Sequence, residues 1–119
     1  MPDSVKINLD LGLVEIRSFG IVTSENIRAS ITKADEAFKL HGINKLLVDT
    51  TEQEQMPSIS GIFNIFANFP KHLNLALYAK KDQITEGDIY FGETVAVNRG
   101  INMKIFYSQP EAMAWLNEF

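Results

Sequence analysis

A carboxylate followed by two hydroxyls, Asp49-Thr50-Thr51, closes a short apolar run, Leu46-Leu47-Val48. In α/β proteins the carboxyl ends of central strands are where sites are built. With Lys80, such a group has the ingredients of a phospho-accepting aspartate. That chemistry also needs an acidic pair at the end of an earlier strand to hold magnesium. The earlier strand ends instead at Phe19-Gly20-Ile21, which carries no carboxylate. Asp49 and Thr50 are therefore read as strand-end polar residues, with Asp49 capping the following turn through backbone amides.

The other reactive types are sparse. Cysteine is absent, which removes disulfides, thiol nucleophiles and zinc–thiolate sites. His41 lies before Gly42 at a helix end, where an imidazolium suits the dipole. His72 lies between Lys71 and Leu73, and neither histidine has a metal-ligand partner at sequence spacing. No glycine-rich phosphate loop and no Gly-x-Ser-x-Gly elbow occurs. The reading is a protein that is not an enzyme, with no metal and no cofactor.

One segment is unusual in what it lacks. From Gln55 to Pro70, sixteen residues pass without a charge. A helix is expected from about Ser58 to Phe69. At about 100° per residue, Ile59, Ile62, Phe63, Ile65, Phe66 and Phe69 spread over about 200° of arc. The remaining face, with Asn64 and Asn68, is small and uncharged. A helix packed by one stripe alone shows charges outside, so this one is expected to meet a second subunit, a protein partner or an apolar ligand. Charge depletion with aromatic enrichment marks interface cores. Ser58 and Ser60 open the segment, where a hydroxyl serves as an N-cap. A phosphate there would meet free amides and the positive dipole end.

The elements that must position these residues follow from periodicity. Val5, Ile7 and Leu9 alternate with polar residues. Alternation resumes at Val14 and Ile16 after Gly12, as in a β-hairpin with one buried face. From about Ser24 to Leu40, the residues Ile27, Ile31, Ala34 and Phe38 form a helical stripe that Gly42 ends. Leu46–Asp49, Leu73–Ala79 and Lys104–Tyr107 read as buried parallel strands. A helix is expected from Thr85 to Arg99-Gly100. The last helix opens on Ser108-Gln109-Pro110-Glu111, read as a capping box, with Ala112, Trp115, Leu116 and Phe119 as its buried stripe. The order is a β-hairpin, then αβαβαβα, in a single domain over residues 1–119.

Composition bounds the rest. The 119 residues are 45% hydrophobic and 22% charged, as in a globular chain. The net charge of −4 argues against a general nucleic-acid binder. No apolar run approaches the roughly 18 residues of a transmembrane segment. The N-terminus has no signal layout, so a cytoplasmic location is expected.

Three stretches together resemble the SpoIIAA-like proteins, related to the STAS domains of anti-sigma-factor antagonists. They are Phe19-Gly20-Ile21-Val22-Thr23-Ser24-Glu25; Leu46-Leu47-Val48-Asp49; and the end, Asn98-Arg99-Gly100, Lys104-Ile105-Phe106 and Glu111-Ala112-Met113-Ala114-Trp115-Leu116. The likeness runs through the chain after the first hairpin. It implies a mixed, mostly parallel five-stranded sheet with helices mainly on one side. In anti-sigma antagonists an Asp-Ser-Ser/Thr-Gly motif opens the helix after the central strand, and its second hydroxyl residue is phosphorylated. Here Ser58-Ile59-Ser60-Gly61 keeps the hydroxyl–glycine pair, with Ser58 in place of the aspartate and a longer preceding loop, Thr50 to Pro57. Ser60 is thereby the equivalent of the phospho-site. The wider fold group includes lipid-carrying CRAL-TRIO domains, which implies an apolar small molecule as the alternative ligand. The function expected is a binding or regulatory module of STAS type, homodimeric, acting through the charge-free helix.

Overall fold

The computed structural model describes residues 3–21, 23–55, 69–80, 93, 94, 97, 98 and 100–119. Its elements are β1 (Asp3–Asn8), β2 (Leu13–Ile21), α1 (Ser24–His41), β3 (Lys45–Gln55), β4 (Asn74–Tyr78), β5 (Asn102–Phe106) and α2 (Gln109–Leu116). The five strands form one sheet in the order β1-β2-β3-β4-β5. β1 runs antiparallel to β2, and the other three pairings are parallel. The segments expected to be helical over 58–69 and 85–99 lie largely outside the described residues. Of those, 93, 94, 97 and 98 are helical.

Side-chain alternation divides the core between the two faces of the sheet. Val14, Ile16, Leu46, Leu75 and Met103 point to one face and pack with Ala34 and Ala37 of α1. Leu13, Leu47, Ala76 and Phe106 point to the other and meet Ala112 and Leu116 of α2. The two helices of described extent thus cover opposite faces. Burying each of these leucines contributes about 1.5–3 kcal/mol. Three strands are preceded by a buried apolar residue, Ile43, Leu73 and Ile101, all in the α1-side core. These anchors define the amino end of the parallel strands.

Gly42 ends α1 as expected, whereas the capping box expected at Ser108 does not form. α1 starts one residue after Thr23, whose Oγ1 accepts from the Asn26 amide at 3.2 Å, while Asn26 Oδ1 accepts from the Thr23 amide at 3.0 Å. That reciprocal box uses asparagine where glutamate is the usual partner. Gly42 closes α1 at φ 71°, in the left-handed region, and its amide donates to the Phe38 carbonyl. At α2 Ser108 is the N-cap, but its side chain makes no capping bond. Pro110 in the first turn has no amide to offer, so a cap there has one donor fewer to satisfy.

The buried stripe of α2 is also narrower than expected. Ala112 and Leu116 are buried, and Trp115 is half-buried, its ring 5.8 Å from Phe106 and 4.9 Å from Phe119. Phe119 is 47% exposed, past the end of the helix at Leu116, on a turn in which its amide donates to the Leu116 carbonyl.

β3 is the largest departure. Thr50 onward reads as a loop, yet the strand continues to Gln55. Its pairing with β4 ends at Asp49–Tyr78, whereas its pairing with β2 runs on to Ile21–Gln55. Beyond Asp49, among the described residues, the ladder partner of the strand is β2. Edge strands are often polar, and Thr-Glu-Gln-Glu-Gln carries no apolar signal.

Candidate functional site

The carboxyl end of β2 and β3 gathers charged and hydroxyl groups on the α2 face. Register brings Arg17 opposite Asp49, and the next pair is Phe19 opposite Glu52. Two residues of β2 thus span three of β3, a bulge that inserts one residue and turns Glu52 toward the same side as Asp49. A second irregularity falls between Gly20 and Ile21, where Gly20 takes φ 58°. A side chain at that φ is strained, so glycine suits the bend.

The geometry around Asp49 is closed on one oxygen and open on the other. Oδ1 accepts from the Thr51 amide at 2.9 Å and from Thr51 Oγ1 at 2.6 Å. Oδ2 stands 3.9 Å from Arg17 Nε. Arg17 Nη2 donates to Glu52 Oε1 at 2.7 Å, and its guanidinium lies 5.6 Å from the centre of the Phe19 ring. Thr50 is turned inward and buried, and its Oγ1 donates to the Tyr78 carbonyl at 2.9 Å. That bond satisfies the β4 carbonyl at the point where the β3–β4 ladder stops. The turn-capping role expected for Asp49 takes the form of a bond across the bulge.

Beside this cluster lies an open cleft of about 350 Å³, lined by Glu15, Ile16, Arg17, Leu47, Asp49 and Gln109. It is large enough for a side chain or a small molecule. Asp49 and Glu15 give it acidic walls, and Arg17 supplies a cation already engaged by carboxylates. Among the described residues no group of three or more histidine, aspartate or glutamate side chains is placed to hold a metal ion. Asp49 thus has Thr51 as its hydrogen-bond partner and Arg17 as its ion-pair partner.

The remaining expected site residues fall in two groups. Ile59, Ser60, Ile62, Phe63, Asn64, Ile65, Phe66 and Asn68 lie outside the described residues. Phe69, expected on an interface or ligand surface, is 5% exposed and packed in the α1-side core with Leu73 and Ile43. It anchors the chain as it returns to β4. One polar cluster has no counterpart in the sequence reading. His72 Nε2 stands 2.9 Å from Asp35 Oδ1, and its ring stacks on Phe38 at 4.0 Å. Thirty-seven positions separate the histidine from the aspartate, so only the return of α1 along the sheet brings them together.

Solved structures resemble this arrangement over nearly its whole length. An uncharacterised protein of the DUF3478 family from Shewanella loihica PV-4, described as having a SpoIIAA-like fold, superposes with a TM-score of 0.64. It is 18% identical, and the match covers 96% of this chain and 93% of that one. This chain has a SpoIIAA-like fold. An anti-sigma factor antagonist from Mycobacterium paratuberculosis matches the same fold with a TM-score of 0.57 at 11% identity, over 97% of this chain and 94% of that one. No family model and no curated protein matches the sequence. The SpoIIAA-like fold accounts for the parallel sheet and for the carboxyl-end position of the cluster.

Proposed function

We propose that this chain is a non-enzymatic binding and regulatory module of STAS-like type, acting as a homodimer through the charge-free segment around residues 58–69. The observation that carries the reading is the sixteen-residue uncharged run from Gln55 to Pro70, rich in phenylalanine and isoleucine. β3 leads into this run just past the Arg17–Glu52 pair, and Phe69 buries its far end in the core. The run therefore leaves and rejoins the domain at fixed points. An anti-sigma factor antagonist acts, by its name, on another protein, and the shared fold supports the same mode here. Ser60, the equivalent of the phospho-site by resemblance, serves in this reading as a helix cap rather than a switch.

Light scattering coupled to chromatography tests the reading. Wild type is expected to elute as a dimer, and Asn68→Glu as a monomer, because like charges would be desolvated across a two-fold axis. Ser60→Asp is expected to fold and assemble normally, since aspartate also caps a helix. A wild type that stays monomeric at high concentration overturns the dimer. A monomer that retains an apolar molecule in native mass spectrometry would point to a carrier instead.

A further inference from the structure

The amino end of the sheet carries a second surface, independent of the reading above. The chain turns there at 9–12, 42–44, 70–73 and 100–101, while α1 delivers its last turn to the same end. Leu9 and Leu11 on the β1–β2 turn are 63% and 51% exposed, and Leu40 on the last turn of α1 is 77% exposed. Ile7, on the α1 face of β1, is exposed beside them. At the carboxyl end the exposed large apolar side chains among the described residues are Ile21 and Tyr107. The apolar groups at the amino end stand on the tip of a turn and the end of a helix rather than on one flat face.

Cations surround them. Lys39 and His41 flank Leu40, Lys45 opens β3, and Lys71 lies in the connection to β4. Asp10 is the acidic residue of these connections; on α1, Glu36 is exposed one turn before Leu40, and Asp35 is held by Lys39 at 3.4 Å and by His72. A chain of net charge −4 thus places lysines around its most protruding leucines. A second copy seated here by a two-fold axis would oppose those lysines to one another, whereas an anionic lipid surface would complement them.

We propose that the amino end of the sheet docks on an anionic membrane surface, with Leu9, Leu11 and Leu40 entering the interfacial layer and Lys39, Lys45 and Lys71 meeting lipid headgroups. Insertion of apolar tips combined with attraction of nearby lysines is the physics of reversible peripheral binding.

Sedimentation of the full chain with vesicles tests this. Phosphatidylcholine vesicles containing phosphatidylserine are expected to carry the protein down, vesicles of phosphatidylcholine alone are not, and added salt weakens the binding. Leu9→Ser combined with Leu11→Ser is expected to lower the partition coefficient by about tenfold or more. Lys71→Gln is expected to lower it about fivefold. These positions are exposed, so thermal melts of the variants should match wild type; Leu40→Ser provides a second variant on a different element. Sedimentation that does not depend on phosphatidylserine overturns the proposal. So does binding that the leucine variants leave unchanged. If those variants instead convert a dimer to a monomer, the surface belongs to a second copy and the membrane proposal fails.

Discussion

The two ends of the parallel sheet are built by opposite rules. At the amino end, Ile43, Leu73 and Ile101 are buried just ahead of their strands. Asparagine amides then tie the strands side by side. Asn74 donates to the Asn44 carbonyl from both its backbone, at 2.7 Å, and its Nδ2, at 3.1 Å. Asn102 Nδ2 in turn donates to Asn74 Oδ1 at 2.8 Å. At the carboxyl end, the β3 extension pairs with β2 among the described residues, bulges twice, and holds its neighbours through surface ion pairs. Apolar anchors and neutral amides hold one geometry. Exposed charges contribute little to stability and can exchange partners at low cost. The fold keeps its shape at the amino end and has the freer side chains at the carboxyl end.

Substitutions at the two ends should separate these rules. Phe69→Ala is expected to have the largest effect, about 3–5 kcal/mol in denaturant unfolding, because it opens a cavity in the α1-side core. A loss under about 1 kcal/mol would place that ring on a surface and undo the amino-end anchor. Asn74→Ala comes next, at about 1 kcal/mol, since it removes the part-buried Nδ2 bond to the Asn44 carbonyl, which keeps its backbone donor, and the exposed bond from Asn102. Gly20→Ala should cost about 1 kcal/mol through its left-handed φ, with amide exchange rising in the β3 extension rather than in β4. Arg17→Ala should cost under about 1 kcal/mol by thermal melt, as an exposed ion pair does. An effect larger than that of Asn74→Ala would reverse the comparison between the two ends.

What could be read from the residues follows the same division. The β1–β2 hairpin and α1 were legible because alternation and the Ile27-Ile31-Ala34-Phe38 stripe report burial directly. The strands at Leu46, Leu75 and Met103 were legible for the same reason. The β3 extension was not, because residues 50–55 carry no apolar side chains. Its bulge follows from register between distant segments and leaves no local mark. The capping box at Ser108 was read from residue types alone, and in the fold its side chain makes no capping bond. Trp115 read as fully buried from a stripe that the early end of α2 cuts short, so Trp115→Ala should fall below the range for a buried large aromatic. Of the site, Asp49 and Thr50 read as strand-end polar groups, whereas β3 continues to Gln55 and it is the β3–β4 ladder that ends at Asp49. Arg17, Glu52 and the His72–Asp35 pair needed the fold.

The sheet order has a consequence in time. Because β1 to β5 lie side by side in the order in which they occur along the chain, each strand meets its partner soon after it leaves the ribosome. No early strand waits for a late one to complete its ladder, and each closing loop spans only the connection to the next strand. Until β4 arrives, β3 is the growing edge. The polar residues 50–55 then keep part of that edge soluble while the remainder of the protein is still being made.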